Sequence, residues 1–569
     1  MTAPLSAEET AARLRRALTD HTQGRLAEAE AGYRGILAQH PDQPDALGLL
    51  ALILADGPDA AEGEAVLLRH LALRPRNAAS LQALGRLRAR QGDEAAAAEA
   101  FARAAEERPD LAPIHNDLGV SLHRLGRRTE ALAALDRAIA LDPAYHAPVG
   151  NRGMVLLDEG RFGEAVDALV GALAANDPST EDVRVSLISS LVRAAARAGR
   201  LAEAEACVRA NIAAGHADNP TLEQFARLLD RLGRAPDALA LRNGMARRAG
   251  VQRRGPPRAA RDTLVLLGAV GAGHTPTRYL VDPESFSTLS VSLLTPGEAD
   301  GPLGTVDPAE LASAGAVFST LADIHRDWGQ LAAAEAFCAD LGKPVINPPR
   351  SILKTGRDGA QALFAGVPGL VVPPVTPLTP GDLAAFPLKA PILVRPAGDH
   401  GGESLVRLDS EADREAYLAQ APAERLLAVP FHDFRSPDGA WRKYRLIFVD
   451  RQVFPFHLAI GEHWLLHYWR AEMARSPWKL AEEERFLDDW RGVFGPVAAA
   501  AADEAARRLD LDYGGVDCAM TANGELLLFE ANATVLLHLD DPATAVAKHR
   551  HVPPIREAFT RLVHARAGG

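Results

Sequence analysis

Pro41, Pro75, Pro109 and Pro143 stand 34 residues apart, and Pro178 follows after 35. Gly92, Gly126 and Gly160 keep the same step, within an Ala-, Leu- and Arg-rich texture such as Gly160-Arg-Phe-Gly-Glu-Ala-Val-Asp-Ala-Leu. Proline cannot continue a helix, so each one closes a unit, while glycine enters the left-handed region and permits a tight turn inside the unit. A fixed period of this length dictates helix pairs stacked one on the next, because a single pair cannot bury its apolar face alone. About seven such units fit, less regular after Pro178 and ending near Leu241.

The spacing and the phrase Leu118-Gly119 … Ala131 … Ala138 … Pro143 resemble the tetratricopeptide repeat, with small alanines where paired helices approach closely. The resemblance implies an all-α solenoid over residues 1–246 that binds a peptide or protein segment in a groove, or mediates self-association. Asn116, Asn151 and Arg152 fall at first-helix positions that would line this groove; solvated polar surface is the plainer alternative. Residues 247–261 are basic, Pro- and Gly-bearing and without periodicity, and read as a linker.

Beyond the linker the texture changes to short apolar runs alternating with helical patterns: Thr263-Leu-Val-Leu-Leu, Ala316-Val-Phe-Ser, Pro344-Val-Ile-Asn and Ile392-Leu-Val-Arg. Strands separated by helices point to an α/β arrangement. Gly268-Ala-Val-Gly-Ala-Gly273 follows the first strand, but its spacing is not G-x-G-x-x-G, so it reads as a tight strand-to-loop turn rather than a dinucleotide site.

Near the carboxyl end, Asn523-Gly524 is a strong hairpin signal. A two-residue loop there pairs Ala522 with Glu525 and, counting outward, Asp517 with Glu530. Side chains alternate along a strand, so Asn532 joins Asp517 and Glu530 on one face, while Cys518, Met520, Leu527 and Phe529 take the other. Like charges opposed across a strand pair repel, so the arrangement makes most sense around a hard cation such as Mg²⁺, with Asn532 supplying a third oxygen. A solvated hairpin with acids on its wet face is the competing reading.

A second motif, Arg395-Pro-Ala-Gly-Asp-His-Gly-Gly-Glu403, follows the strand Ala390-Pro-Ile-Leu-Val. Gly398, Gly401 and Gly402, with His400 between them, let backbone N–H groups close on an anion, and Arg395 projects from the strand end. No Gly-Lys-Ser/Thr follows, so this is not a Walker loop. Downstream, Lys443 and Arg445 alternate on the strand opened by Arg442-Lys-Tyr-Arg445 and share a face.

The order of strand, glycine loop, basic strand and acid–acid–Asn hairpin resembles the ATP-grasp superfamily. In particular Val345-Ile-Asn-Pro-Pro-Arg350 … Gly356-Arg-Asp358 … Val372-Pro-Pro-Val-Thr376 is similar to the entry of the glutathione synthetase and ribosomal-protein S6 glutamate-ligase branch. The resemblance covers about residues 262–569. It implies an α/β domain over 262–350 and the α+β lobes of the nucleotide-binding fold over 351–569, with ATP and Mg²⁺ as cofactors. It further implies metal ligation by Asp517, Glu530 and Asn532, and phosphate contacts from Arg357, Arg395, the glycine loop and Lys443. Arg445 and Arg395 would stabilise charge in the reaction. Arg357 and Arg395 stand where the family usually has lysines; arginine keeps the charge and adds a fork suited to phosphate. The acidic pair that commonly meets adenine and ribose is not evident in Val429-Pro-Phe-His-Asp-Phe434.

His457, His463 and His467 follow. His463 and His467 have the spacing of one helix face, yet there is no His-Glu-x-x-His order and no third ligand, so zinc is not expected. These histidines are read as lining an acceptor pocket or orienting Arg445, with satisfied half-buried histidines beside Trp464 and Trp469 as the alternative. The expected activity is a carboxylate–amine ligase working through an acyl phosphate on a peptide or protein substrate presented by the repeats. A binding adaptor with a nucleotide-sensing second half, and an ATP-dependent phosphotransferase, are the rival readings.

Composition narrows the field. A chain of 569 residues holds about three or four domain-sized units. A formal charge of −12 and pI near 5.9 argue against a nucleic-acid binder working through bulk charge. Cys207, Cys338 and Cys518 fit no metal spacing and imply no disulfide framework. The amino terminus lacks a basic segment followed by an apolar core, and no apolar run is long enough to cross a bilayer, so a cytoplasmic protein with no membrane partner is expected.

Overall fold

The computed structural model describes residues 5–57, 60–175, 180–270, 277–295, 306–322, 328–357, 359–397, 404–420, 425–468, 471, 473, 476–533, 535–537 and 546–568. The chain divides into two compact units, Met1–Ala238 and Leu239–Gly569. Among the described residues no helix is long and apolar enough to cross a membrane.

The first unit is an all-α solenoid. Among the described residues, fourteen helices run from α1 (Ala7–Thr22) to α14 (Ala235–Ala249), and the unit boundary falls inside α14. Their starts carry polar caps where the sequence supplies them: Asn77 accepts from Ser80 N–H at 2.9 Å, Asp93 from Ala96 N–H at 3.0 Å and Asp218 from Thr221 N–H at 2.8 Å. The turn glycines behave as their spacing predicts, with φ of +85° at Gly92, +76° at Gly126 and +79° at Gly160. Within a pair, such as α7 (Ala112–Arg124) and α8 (Arg128–Leu141), a glycine lets the helices approach closely. A Cβ on Gly119 would lie 2.6 Å from Leu135 Cγ, and one on Gly153 2.7 Å from Leu169 Cγ, 34 residues on. Ala97, Ala131 and Ala165 keep the same step and are fully buried. Arginines pair with acids of neighbouring units, as Arg86 with Asp117 and Arg124 with Glu94, but these ion pairs are exposed and each contributes at most about 1 kcal/mol. Stacking of small and aliphatic residues therefore holds the array. Pro178 lies outside the described residues.

Asn116, expected in a wet groove, is 7% exposed and accepts a 2.8 Å hydrogen bond from Asn151 Nδ2. The two amides bond each other from adjacent units, and Arg152 pairs with Asp136 at 2.7 Å. Burying Asn116 is tolerable because its carbonyl finds this partner.

The described residues of the second unit form three sheets. The first has the order β1-β3-β2-β4-β5, with β2 (Thr263–Ala269), β3 (Ser287–Leu293), β4 (Ala316–Ser319) and β5 (Val345–Ile346) parallel. Its edge strand β1 (Gln252–Arg254) pairs antiparallel with β3, so the segment expected to be a linker is partly strand. Three exposed residues on a sheet edge leave no alternation in the sequence to reveal them. β2 is apolar along its length because both of its faces are covered.

The second sheet, β7-β10-β8-β9, is antiparallel and built from β7 (Thr376–Leu378), β8 (Ile392–Pro396), β9 (Val406–Leu408) and β10 (Leu426–Pro430). It packs Val394, Leu408, Leu426 and Ala428 beneath Leu383 and Tyr417 of two short helices. The third sheet has the order β12-β11-β13-β14-β6, from β6 (Leu370–Val371), β11 (Trp441–Val449), β12 (Gln452–Gly461), β13 (Tyr513–Met520) and β14 (Leu526–Asn532). Tyr444, Leu446, Val516, Cys518 and Leu528 on one face join the helices Pro477–Asp488 and Trp490–Leu509 in a core. Ile447, Val449 and Tyr513 on the other pack with Ile555 and Phe559 of the helix Val546–Ala567.

Candidate functional site

The second and third sheets of the second unit line a cleft of about 340 Å³. Its charged wall is one transverse row across the third sheet. Arg445 on β11 is directly opposite Asp517 on β13, and Asp517 is directly opposite Glu530 on β14. His457 on β12 continues the row beyond Arg445, outside the cleft lining. Directly opposed residues share a face, so four titratable side chains are set side by side by strand register alone.

The hairpin reaches this register by a route the sequence did not suggest. Thr521 N–H bonds Glu525 carbonyl at 2.9 Å and Met520 pairs with Leu526, so the loop has three residues, with Gly524 at φ +76°. Counting outward from that turn alone would set Asp517 opposite Phe529. A bulge between Asp517 and Cys518 inserts one residue on β14 and restores Asp517 to Glu530. The faces change accordingly: Leu526 and Leu528, not Leu527 and Phe529, share the core with Cys518. Leu527 packs with Ala519 in a separate cluster, and Phe529 is 36% exposed and lines the cleft.

Asp517 is 1% exposed. Arg445 Nε donates to its Oδ1 at 2.6 Å and Arg445 Nη2 to its Oδ2 at 2.9 Å, while Lys443 Nζ stands 2.7 Å from Oδ2. Burial works to raise this carboxyl, but the two cations more than offset it and hold it far below the usual carboxylate range. Glu530 is paired with Arg357 Nη2 at 3.0 Å. There too burial pushes upward, as does the Asp517 charge, and the Arg357 guanidinium, Lys443 and an Asn532 hydrogen bond together outweigh them, leaving the carboxyl at about 2. Both acids are therefore ionised at neutral pH.

The cleft brings together Arg357, Arg395, Lys443, Arg445, Asp517, Glu530, Asn532 and His467. Gly398, His400, Gly401 and Gly402 lie outside the described residues. His457 is 4% exposed and does not line the cleft; its ring stacks on Tyr468 at 4.6 Å and 13°, behind Arg445. The Tyr468 hydroxyl donates to buried Glu483 at 3.1 Å, which also accepts from Leu458 N–H at 3.2 Å. His463 and His467 are exposed and belong to a non-helical segment directly after β12, so they share no helix face. Leu466 is buried among Trp441, Phe434, Ala519 and Leu527, and this anchor holds the segment against the sheet as a loop.

The cleft also has an aromatic wall, a feature the sequence reading missed. Phe431, Phe434, Trp464 and Phe529 line it. Phe434 and Phe529 meet edge to face at 4.9 Å, Phe431 and Trp464 at 5.8 Å, and Arg407 lies 4.0 Å over the Phe431 ring. The paired phenylalanines of Val429-Pro-Phe-His-Asp-Phe434 were the available signal.

Among the described residues, no three His, Cys, Asp or Glu side chains form a metal-holding group. Asp517, Glu530 and the Asn532 amide nevertheless make a hard-oxygen donor set, which fits Mg²⁺ and not a soft metal. Across the described lining, four cationic side chains face two carboxylates. That surplus suits an anionic ligand with a planar, apolar end.

Residues 112–145 match the tetratricopeptide repeat family, and the amino-terminal part of the chain carries such repeats. Among solved structures the chain is similar to PilW, a widely conserved type IV pilus biogenesis factor, at 25% identity over 36% of this chain and 91% of that one, TM-score 0.31. It is similar to YrrB, a tetratricopeptide protein with an unusual peptide-binding site, at 18% identity over 33% and 95%, TM-score 0.28. A tetratricopeptide repeat protein from Parabacteroides merdae ATCC 43184 is 12% identical over 41% and 91%, TM-score 0.33. Scores of this size carry no argument about function.

Proposed function

We propose that the chain is an ATP- and Mg²⁺-dependent carboxylate–amine ligase of the ATP-grasp kind, whose repeats hold a peptide or protein substrate. The observation that carries this reading is the charged row Arg445–Asp517–Glu530–Arg357 in a cleft between the second and third sheets, with an aromatic wall beside it. The aromatic wall suits a nucleobase and the cationic side chains suit a polyphosphate that keeps net negative charge after taking a divalent ion. Asp517, Glu530 and Asn532 would hold that ion, which when bound would neutralise charge on the phosphate oxygens.

In this mechanism a substrate carboxylate oxygen attacks the γ-phosphorus and the bond to the β-phosphate bridging oxygen breaks, giving an acyl phosphate and ADP. Arg445, Lys443, Arg395 and Arg357 supply fixed positive charge where negative charge develops. An amine then attacks the acyl carbon, phosphate leaves with the bonding pair, and the amine proton passes to solvent or to the departing phosphate. No side-chain nucleophile is required. The repeats contribute by holding the peptide on the same chain as the cleft, which raises its local concentration.

The test is to incubate the protein with MgATP and pooled amino acids or peptides. Substrate-dependent release of ADP and phosphate supports ligation, and a phosphorylated product supports phosphotransfer instead. ATP binding without turnover supports the second reading, a protein-binding adaptor, which the repeat match at residues 112–145 favours. Under the ligase reading Glu530→Gln keeps the hairpin and abolishes turnover, and wild-type rates in that variant would remove Glu530 from the metal site.

A further inference from the structure

Every acid that a divalent ion would use in the cleft is held by a cation that a polyphosphate would use. Both oxygens of Asp517 are engaged, Oδ1 by Arg445 at 2.6 Å and Oδ2 by Arg445 at 2.9 Å and Lys443 at 2.7 Å. Glu530 is engaged by Arg357 at 3.0 Å. These are not loose surface pairs: the Asp517 side chain is 1% exposed, Arg357 15%, and Glu530, Lys443 and Arg445 each a quarter or less. Water therefore competes poorly for either partner, and breaking one pair without replacing it strands a charge.

We infer that the cleft is a partner-exchange lock, in which metal and nucleotide bind the protein only together; the inference rests on the nucleotide reading above. A divalent ion arriving alone meets carboxylates already neutralised by Arg445, Lys443 and Arg357. A nucleotide arriving alone meets Arg445, Lys443 and Arg357 already paired with Asp517 and Glu530, so only the surplus positive charge of the cleft is open to it. When both arrive, each carboxylate trades a cationic side chain for the ion and each freed side chain trades its carboxylate for phosphate, so the number of satisfied charges is conserved throughout. The two ligands are then coupled at the protein beyond the complex they form in solution, by about tenfold to a hundredfold. The register creates this arrangement: Lys443, Arg445, Asp517 and Glu530 come from three adjacent strands and are placed within reach of one another whether or not ligand is present.

The experiment is equilibrium dialysis of the full chain with Mn²⁺ standing in for Mg²⁺. Three arms are measured: Mn²⁺ alone, ATP alone in excess chelator, and the two together with no acceptor. Arg357→Leu, which releases Glu530, and Lys443→Met, which loosens Asp517, are run beside wild type, with circular dichroism to establish folding. The expected result is that wild type retains ATP and Mn²⁺ together, at least tenfold more tightly than either alone, and that the variants bind Mn²⁺ alone about tenfold better than wild type. Wild type that takes Mn²⁺ alone as tightly as with ATP overturns the lock and leaves the nucleotide reading standing. Failure of both folded variants to gain Mn²⁺ affinity overturns it as well. Absence of ATP binding in every arm overturns the nucleotide reading, and the lock falls with it.

Discussion

Replacing Arg445 by Met removes the guanidinium fork from Asp517 while keeping an unbranched side chain of similar reach. The carboxylate stays 1% exposed and loses contacts at 2.6 and 2.9 Å, retaining Lys443 at 2.7 Å. Deleting one partner of a buried ion pair costs about 3–5 kcal/mol, and the surviving lysine places the loss at the lower end, about 3 kcal/mol. Urea unfolding followed by tryptophan fluorescence reads this directly, since all six tryptophans lie from Trp328 onward and the signal comes from the second unit alone. A double variant with Asp517→Leu recovers most of the loss, because no buried carboxylate is then left short of charge. The pH dependence has a definite sign. In wild type the depressed Asp517 carboxyl contributes stability that is full above its unfolded pKa, near about 4, and is lost as pH falls below that toward the folded value. In Arg445→Met burial is opposed chiefly by Lys443, so the folded carboxyl rises and protonation relieves the strain on it. The gap between wild type and variant is therefore widest near neutral pH and narrows below about pH 5. A loss under about 1 kcal/mol, or a gap that widens on acidification, would refute the assignment of Asp517 as a buried, doubly compensated carboxylate.

Gly119→Ala destabilises the solenoid by about 1–2 kcal/mol, because its Cβ would meet Leu135 Cγ at 2.6 Å and overpacking outweighs the helix propensity gained. Gly35→Ala, with nothing within 4 Å of its Cβ, stabilises by about 0.5–1 kcal/mol; thermal melts followed at 222 nm compare the pair. Cys207 and Cys338 are pushed up to about 11 by burial and Cys518 is raised by burial and the Asp517 charge, so a thiol reagent at pH 8 titrates none quickly in the native protein and all three in denaturant. Deleting Phe529 removes the bulged residue and leaves Cys518–Leu528 and Asp517–Glu530 pairing in a regular hairpin, so the tryptophan-detected stability falls by no more than about 1.5 kcal/mol, the worth of its contact with Phe434. Deleting Ala531 instead swings Asn532 away from the face of Glu530, and its loss exceeds that of the Phe529 deletion.

What was legible in the sequence follows from how far apart the determining residues lie. The solenoid was readable because each unit is decided within 34 residues: a proline stop, a turn glycine and small residues at the pair contact, all repeated. Asn116 was misread because its burial depends on Asn151 in the next unit, which a helix pattern taken one unit at a time does not contain. β1 was missed because its partner β3 lies about 35 residues on and its own three residues carry no alternation. The histidine pair misled for a related reason: an i, i+4 spacing is a helical signal only when a helix is there, and Leu466 ties that segment to the sheet instead. The acid hairpin shows how a reading can reach the right pair through two compensating departures. The turn is one residue longer than Asn-Gly predicts and the bulge at Phe529 gives that residue back, so Asp517 meets Glu530 while the side chains between them exchange faces. The charged end of the cleft was thus visible in local motifs. Its aromatic wall draws on the segment Phe431–Phe434, the post-β12 loop and the bulge itself, three segments that only the fold assembles, and the bulge that hid Phe529 from the sequence is what turns it into the cleft.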